Sequence, residues 1–475
     1  MPQVHLGPAD AFWLAVLGLA IVALGFSARL RDRTMLQFLV AGRRLSMPAF
    51  VATLVTTWYG GILGVGEAVS TYGIGTWLLL GVPYYVFALV YAFWFAERVR
   101  SAEQISLPER LELRWGRGAA LTGAVLVFLL AVPAAHVLML GILVQVVTGW
   151  QLGPSVLVGA LVGTLFLAKG GLIADVRVSF LAFAMMYVGF IAMALVCLHR
   201  TAFGVMLASI PDPKLHRLDG GQGMLAVLSF FLLGAWTLVD PGFHQRVAAA
   251  GSPTLGRRGV LVSVGLWMLF DVLSITAGLY AVASAVPAAK PLWTYPLLAE
   301  AMLPPGLKGI FLFGLLGTIL SACVGYTLVS GATLGREIAA RLARTVDDQR
   351  IRQWTRIGLF VSAGAAVGLS LWIESVVELW YDWAGALVGA LLLPVAIAYG
   401  VLPGRRVSPQ WASASMAIAF VLSMGWLIYG KRTGNDFLEV VLGNQRFSLG
   451  TLAPALVVSA LILGIGSAIG RRQMA

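Results

Sequence analysis

Apolar runs of roughly 20 residues, each about the length an α-helix needs to cross some 30 Å of hydrocarbon, follow one another from residue 11 to residue 470. Charged residues make up 11% of the 475-residue chain and hydrophobic ones 59%, against about 25% charged in a soluble domain. The chain therefore reads as an all-α integral membrane protein with about 13 transmembrane helices and no separate soluble domain. The spans fall near 11-28, 48-69, 75-96, 118-147, 152-168, 174-198, 222-243, 259-285, 307-334, 357-373, 378-402, 410-430 and 449-470.

Lys and Arg are retained on the cytoplasmic side of a membrane, so their distribution predicts orientation. With the N-terminus outside, the cytoplasmic segments hold Arg29, Arg31, Arg33, Arg43, Arg44, Arg98 to Arg117, Lys169, Arg177, Arg246, Arg257, Arg258, Arg336 to Arg356, Arg405, Arg406, Arg471 and Arg472. These are 25 of the 33 basic residues, against 8 on the other side. The asymmetry predicts N-terminus out, C-terminus cytoplasmic and an odd number of spans, in a cell inner (cytoplasmic) membrane. The net charge of +12 is then an orientation signal; its basic runs are dispersed, which is no nucleic-acid footprint. The first span lacks a basic n-region and an A-x-A site, so it is expected to be retained.

Two spans carry helix breakers. TTWYGGILGVGE, residues 56-67, holds four glycines; GAWTLVDPGFHQR, residues 234-246, holds Pro241 and Gly242, which remove a donor and loosen the backbone. Irregular backbone survives at membrane depth only where protein or a water-filled cavity surrounds it. Breaks in corresponding helices of two halves point to a secondary transporter with inverted repeats and a midplane site. Close helix packing is the other role open to such glycines.

Ionisable groups inside a bilayer cost several kcal/mol and mark candidate sites. Glu67, Asp240, Asp271 and Asp382 lie within spans or at their breaks. Each has a second task open to it, capping the amides freed at a broken helix. Cys197 and Cys323 both fall in predicted spans and suggest neither a disulfide nor a metal site. His5, His136, His199, His216 and His244 form no metal-ligand spacing, and neither G-x-S-x-G nor a P-loop occurs. No enzyme and no enzyme cofactor are expected.

Six segments in order, FLVAGRRLSMP (38-48), ISLPERLELRWG (105-116), KGGLIADV (169-176), DPGFHQRVAAAGSPTLGRRG (240-259), LLAEAMLPPGLKGIFLFGLLGTILSA (297-322) and LWYDWAGALVGALLLP (379-394), resemble the sodium:solute symporter family. The resemblance implies a LeuT-like 5+5 inverted repeat: an extra N-terminal helix at 11-28, a first repeat at 48-198, a second at 222-402 and two C-terminal helices at 410-470. It also implies a sodium ion between the first and eighth repeat helices. By motif its ligands would be the carbonyls of Thr56, Tyr59 and Thr318 and the hydroxyl of Ser321. Ala322 stands where the family usually has a second hydroxyl, and Ser179 where many members have an Asp, with Asp175 one turn earlier.

By the same carry-over the solute would meet Trp58, Gly61, Leu63 and Glu67, Asp240 and Phe243, and Tyr381, Asp382 and Trp383. Aromatic and acidic lining favours an amine-bearing or zwitterionic solute through cation–π contact and ion pairing. The expected function is sodium-coupled symport of a small polar organic solute by alternating access. Proton-coupled symport or uniport stands beside it, with Asp271 and Asp175 as candidate proton or charge sites, and a membrane sensor on a transporter scaffold is a third reading. The expected partners are the solute, Na+ or H+ and the bilayer, with no nucleic acid and no obligate protein partner.

Overall fold

The computed structural model describes residues 3–28, 32, 34–164, 167–284, 290–404, 407–435, 439–442 and 445–472. Among the orientation residues, Arg29, Arg31, Arg33, Arg405 and Arg406 lie outside this set, as do parts of the spans at 152-168 and 259-285. The chain is a nearly all-helical, multi-pass membrane protein with a LeuT-like arrangement. Among the described residues, 12 helical stretches are long and apolar enough to cross a membrane. The span expected at 152-168 is represented by the shorter apolar helix Leu152–Thr164, so the count of thirteen holds only approximately. One short antiparallel hairpin, Glu439–Leu442 with Gln445–Ser448, precedes the last helix.

The main helices are, in chain order, α1 (Pro8–Ser27), α2 (Met47–Trp58), α3 (Ile62–Tyr72), α4 (Val82–Val90), α5 (Arg117–Ala131), α6 (Ala134–Thr148), α7 (Leu152–Thr164), α8 (Leu167–Arg200), α9 (Met224–Leu233), α10 (Pro241–Ala249), α11 (Pro253–Ala283) and α12 (Leu307–Ala332). They are followed by α13 (Asp348–Trp372), α14 (Gly385–Ala398), α15 (Pro409–Thr433) and α16 (Leu452–Arg472). Burial sorts them. In the apolar window of the α2–α3 span 89% of residues are buried, against 17% in α1 and 33% in α15. The first broken helix is therefore at the centre of the bundle, with the spans Leu307–Ala343 and Val376–Ala398 at 83% and the second broken span at 72%, and α1 and α15 present most of their apolar surface outward, as a lipid-facing helix does.

Small residues set the closest packing. α8 and α12 run together with Gly314 of α12 against the backbone of α8, where a Cβ would lie 2.8 Å from the Met185 carbonyl oxygen. Gly171, near the start of α8, has φ +51° and faces the Phe38 carbonyl, so KGGL needs glycine there both for conformation and for space. The AGRRL segment is pinned to the chain just after α10: Leu45 N–H donates to Ala249 O and Gly251 N–H to Leu45 O, both at 3.0 Å. Arg43 closes the same region by donating to Ala102 O at 2.8 Å.

Candidate functional site

The two helix breaks contribute to the wall of one cavity in the core, and each is a short 3-10 turn. Between α2 and α3 the turn covers Tyr59–Gly61, with φ near −79° at Tyr59 and −84° at Gly61. No left-handed backbone is needed there, so these glycines act through size. A Cβ on Gly60 would lie 2.0 Å from the Ala322 Cβ, and one on Gly61 2.3 Å from the Trp380 ring. Between α9 and α10 the turn covers Gly234–Leu238. Asp240 caps α10, its Oδ1 accepting the Phe243 amide at 2.6 Å, and Pro241 at the first helical position lacks the N–H that would need a partner. His244 Nε2 sits 2.9 Å from the Leu238 carbonyl and engages a group the break releases.

A cavity of about 130 Å³ opens between these turns. Its wall is aromatic, with Trp58, Tyr84, Trp236, Tyr326, Trp380 and Trp383, and it carries two carboxylates, Asp240 and Asp271, together with His136. No Lys or Arg is among its described lining residues. Trp58 packs edge-on against Tyr84 at 4.8 Å and stacks on Trp267 at 5.0 Å. The Tyr326 hydroxyl donates to Asp240 Oδ2 at 2.6 Å, and its ring stacks on His136 at 5.1 Å. The Tyr59 hydroxyl lies 2.8 Å from both Asp271 Oδ1 and the Trp267 carbonyl, and the Tyr85 hydroxyl donates to Asp271 Oδ2. The Trp236 indole N–H is buried with no hydrogen-bond partner among the described residues.

Below the cavity lies a second, fully buried polar cluster. Ser321 Oγ is 2.9 Å from Ser179 Oγ, 3.3 Å from Thr56 Oγ1 and 3.4 Å from Asp175 Oδ1. Arg246 of α10 donates to Asp175 Oδ2 at 2.8 Å, to Thr53 Oγ1 at 3.2 Å and to the Gly242 carbonyl at 3.2 Å. Both members of the ion pair have 0% side-chain exposure. Thr318 is one turn from Ser321 on the same face of α12, buried, with its hydroxyl turned back to the Gly314 carbonyl at 2.7 Å.

Of the residues expected to meet the solute, the structure brings Trp58, Gly61, Asp240 and Trp383 to the cavity wall. Leu63, Glu67, Phe243, Tyr381 and Asp382 lie outside it. Leu63 is core, Phe243 supports Trp58 from behind at 6.0 Å, and Tyr381 stacks on Phe230 at 4.6 Å. Glu67 caps a helix: it accepts from Ser375 Oγ at 2.6 Å and from the Val376 and Val377 amides at 3.0 and 3.2 Å. Asp271, expected as a charge site, is on the wall, whereas Asp175 is joined to Arg246. Thr56 and Ser321 do approach each other, but Ala322 packs on Gly60. Sequence reasoning assigned no site role to Thr53, Tyr84, Tyr85, His136, Trp236, Arg246, Tyr326 or Trp380. Arg246, six residues past Asp240 and three past the predicted span at 222-243, was assigned to a cytoplasmic segment, whereas it is buried against Asp175.

A family model described as the sodium:solute symporter family matches residues 38–397, and the chain belongs to that family. It is 23% identical over 365 residues to the human protein named high affinity choline transporter 1, covering 72% of this chain and 63% of that one. It therefore spans less than two thirds of the human relative's length. To the high-affinity choline transporter 1 of Torpedo marmorata it is 21% identical over 406 residues, 81% of this chain and 69% of the relative. Among solved structures, a substrate-bound, outward-open Na+-coupled sialic acid symporter superimposes with TM-score 0.77 at 12% identity over 99% of both chains. A manganese transporter of Eremococcus coleocola gives TM-score 0.51 at 15% identity over 90% and 95%. These likenesses carry the fold.

Proposed function

We propose that this sodium:solute symporter takes up a small organic cation, an amine-bearing or quaternary-ammonium solute, together with sodium by alternating access. The observation that carries the reading is the cavity between the two helix breaks, walled by aromatic rings and two carboxylates, with no Lys or Arg among its described lining residues. Ring faces attract a desolvated cation by about 2 kcal/mol or more, and among the described lining residues the one basic side chain to hold the carboxylate of a zwitterion is His136. The relatives named for choline, itself a quaternary ammonium, agree with this chemistry. The free indole N–H of Trp236 offers a donor to an oxygen elsewhere on the solute.

For the ion, the approach of Thr56 and Ser321 at 3.3 Å beside the first break supports a site of hydroxyl and carbonyl oxygens from Thr56, Tyr59, Thr318 and Ser321. Ion and solute would together stabilise an occluded state, after which the bundle of broken helices rocks against its scaffold. The repeats would be 48-198 and 222-402, and the excess of Lys and Arg in the predicted cytoplasmic segments supports an N-terminus outside and a C-terminus inside.

A second reading, proton-coupled or ion-independent transport, is favoured by Arg246, which already places a positive charge 2.8 Å from Asp175 next to Ser321. Uptake of radiolabelled choline into proteoliposomes, with an inward sodium gradient or with potassium in its place, separates the two. Sodium coupling predicts gradient-driven accumulation that Ser321→Ala reduces by at least about tenfold at limiting sodium, the loss of one charge-assisted ligand. Accumulation independent of sodium and indifferent to Ser321→Ala would favour the second reading.

A further inference from the structure

The intramembrane carboxylates around the breaks differ in what neutralises them. Asp175 faces Arg246. Glu67 receives two backbone amides and a hydroxyl at a helix start. Asp240 sits at the N-terminus of α10, where the helix dipole favours negative charge, and takes an amide and a phenol. Asp271, in the middle of α11 and 7% exposed, has no Lys, Arg or helix terminus against it among the described residues; its partners are the hydroxyls of Tyr59 and Tyr85.

Two phenols on opposite oxygens, Tyr85 donating to Oδ2 and Tyr59 sharing its one proton between Oδ1 and the Trp267 carbonyl, fix the orientation of the carboxylate and leave part of its acceptor capacity free. They do not supply a charge. Burying an uncompensated carboxylate is costly, and a cation that docks on it recovers much of that cost. The backbone at Gly81, which also lines the cavity, closes tightly on the same group: a Cβ there would lie 2.9 Å from Asp271 Oδ2 and 3.1 Å from the Tyr85 hydroxyl, so a side chain at 81 would displace the carboxylate or its phenol partner. Asp271 itself lines the cavity.

We propose that Asp271, oriented by Tyr59 and Tyr85 and lining the cavity, is the anchor for the positively charged nitrogen of the solute. This rests on the reading of the cavity as an organic-cation site. The aromatic rings then enclose the carbon substituents, and this carboxylate adds to their cation–π attraction in selecting a cation over its neutral isostere. Tyr59 belongs to both places: its side chain holds the anchor and its backbone forms the break beside Thr56.

The test is equilibrium binding to the purified full chain of choline, ethanolamine and 3,3-dimethyl-1-butanol, the neutral carbon isostere of choline. Wild type should bind choline or ethanolamine at least about a hundredfold more tightly than the neutral alcohol, the scale of a buried charge contact. Asp271→Asn, folded by gel filtration and unfolding midpoint, should reduce that ratio by at least about tenfold. Gly81→Ala, which adds a methyl against the carboxylate without touching its charge, should weaken the cation by about tenfold and the neutral alcohol little. An Asp271→Asn protein that keeps the wild-type ratio overturns the anchor. If that variant does not fold, unchanged cation affinity in Gly81→Ala overturns it instead. A wild type that binds neither cation overturns the organic-cation reading and the anchor with it, whereas discrimination that survives in both variants overturns the anchor alone.

Discussion

Replacing Asp175 by Asn strands the guanidinium of Arg246 in a site where neither side chain is exposed. At the observed 2.8 Å the gross attraction is about 6 kcal/mol at an effective dielectric constant near 20, much of it spent on desolvating the two ions. Removing one partner of a buried pair typically costs about 3–5 kcal/mol, because the remaining charge is left uncompensated. Arg246 keeps Thr53 Oγ1 and the Gly242 carbonyl as acceptors, which places Asp175→Asn near the lower end, about 3 kcal/mol. The reverse change, Arg246→Gln, leaves a bare carboxylate beside Ser321 and should cost at least as much. The double variant removes both charges and should cost about as much as one single change rather than the sum of the two, a coupling of about 2–3 kcal/mol in a double-mutant cycle. Equilibrium unfolding of the four proteins in detergent micelles measures it. Single variants that each cost under about 1 kcal/mol, or a double variant whose loss is the sum of the singles, would refute the argument that this pair is a mutually dependent buried unit.

Two further outcomes follow from the packing of the first break. Glu67→Gln keeps the shape but gives up the charge on three hydrogen bonds to Ser375, Val376 and Val377. It should lower stability by about 1–2 kcal/mol, as loss of a helix cap does, while choline affinity stays within about twofold; a tenfold loss of affinity at full stability would place Glu67 in the solute site after all. Gly60→Ala should abolish uptake and destabilise the protein by at least about 1–3 kcal/mol through overpacking, because the new methyl would overlap Ala322 at 2.0 Å. Adding Ala322→Gly should restore both in part, and a second substitution without effect on uptake or unfolding would show that the strain is relieved elsewhere.

Much of this architecture was legible in the chain as written. Span length and charge asymmetry dictate a polytopic helical bundle, since lipid admits few other ways to satisfy a backbone. Gly60, Gly61 and Pro241 marked the two breaks because their effect on the backbone is local. Trp58, Gly61, Asp240 and Trp383 were assigned to the solute by the family resemblance, and they reached the cavity wall. Leu152–Thr164 fell short of a full described span, and the glycines of the first break proved to serve proximity rather than an unusual φ.

Partners distant in sequence were not legible. Glu67 and Asp271 are both carboxylates among apolar residues, and helical periodicity says only that each faces some neighbour. The cap that Glu67 serves begins 308 residues later at Ser375, and the phenol that holds Asp271 comes from Tyr85, 186 residues earlier. Arg246 read as a cytoplasmic charge until the fold turned α10 inward and set it against Asp175. The sequence by itself determined which segments cross the membrane and where they break, because those are properties of contiguous residues in lipid. The tertiary structure decided which buried carboxylate is paired, which one caps a helix and which one faces the cavity, because charge compensation depends on neighbours brought together only when the helices pack.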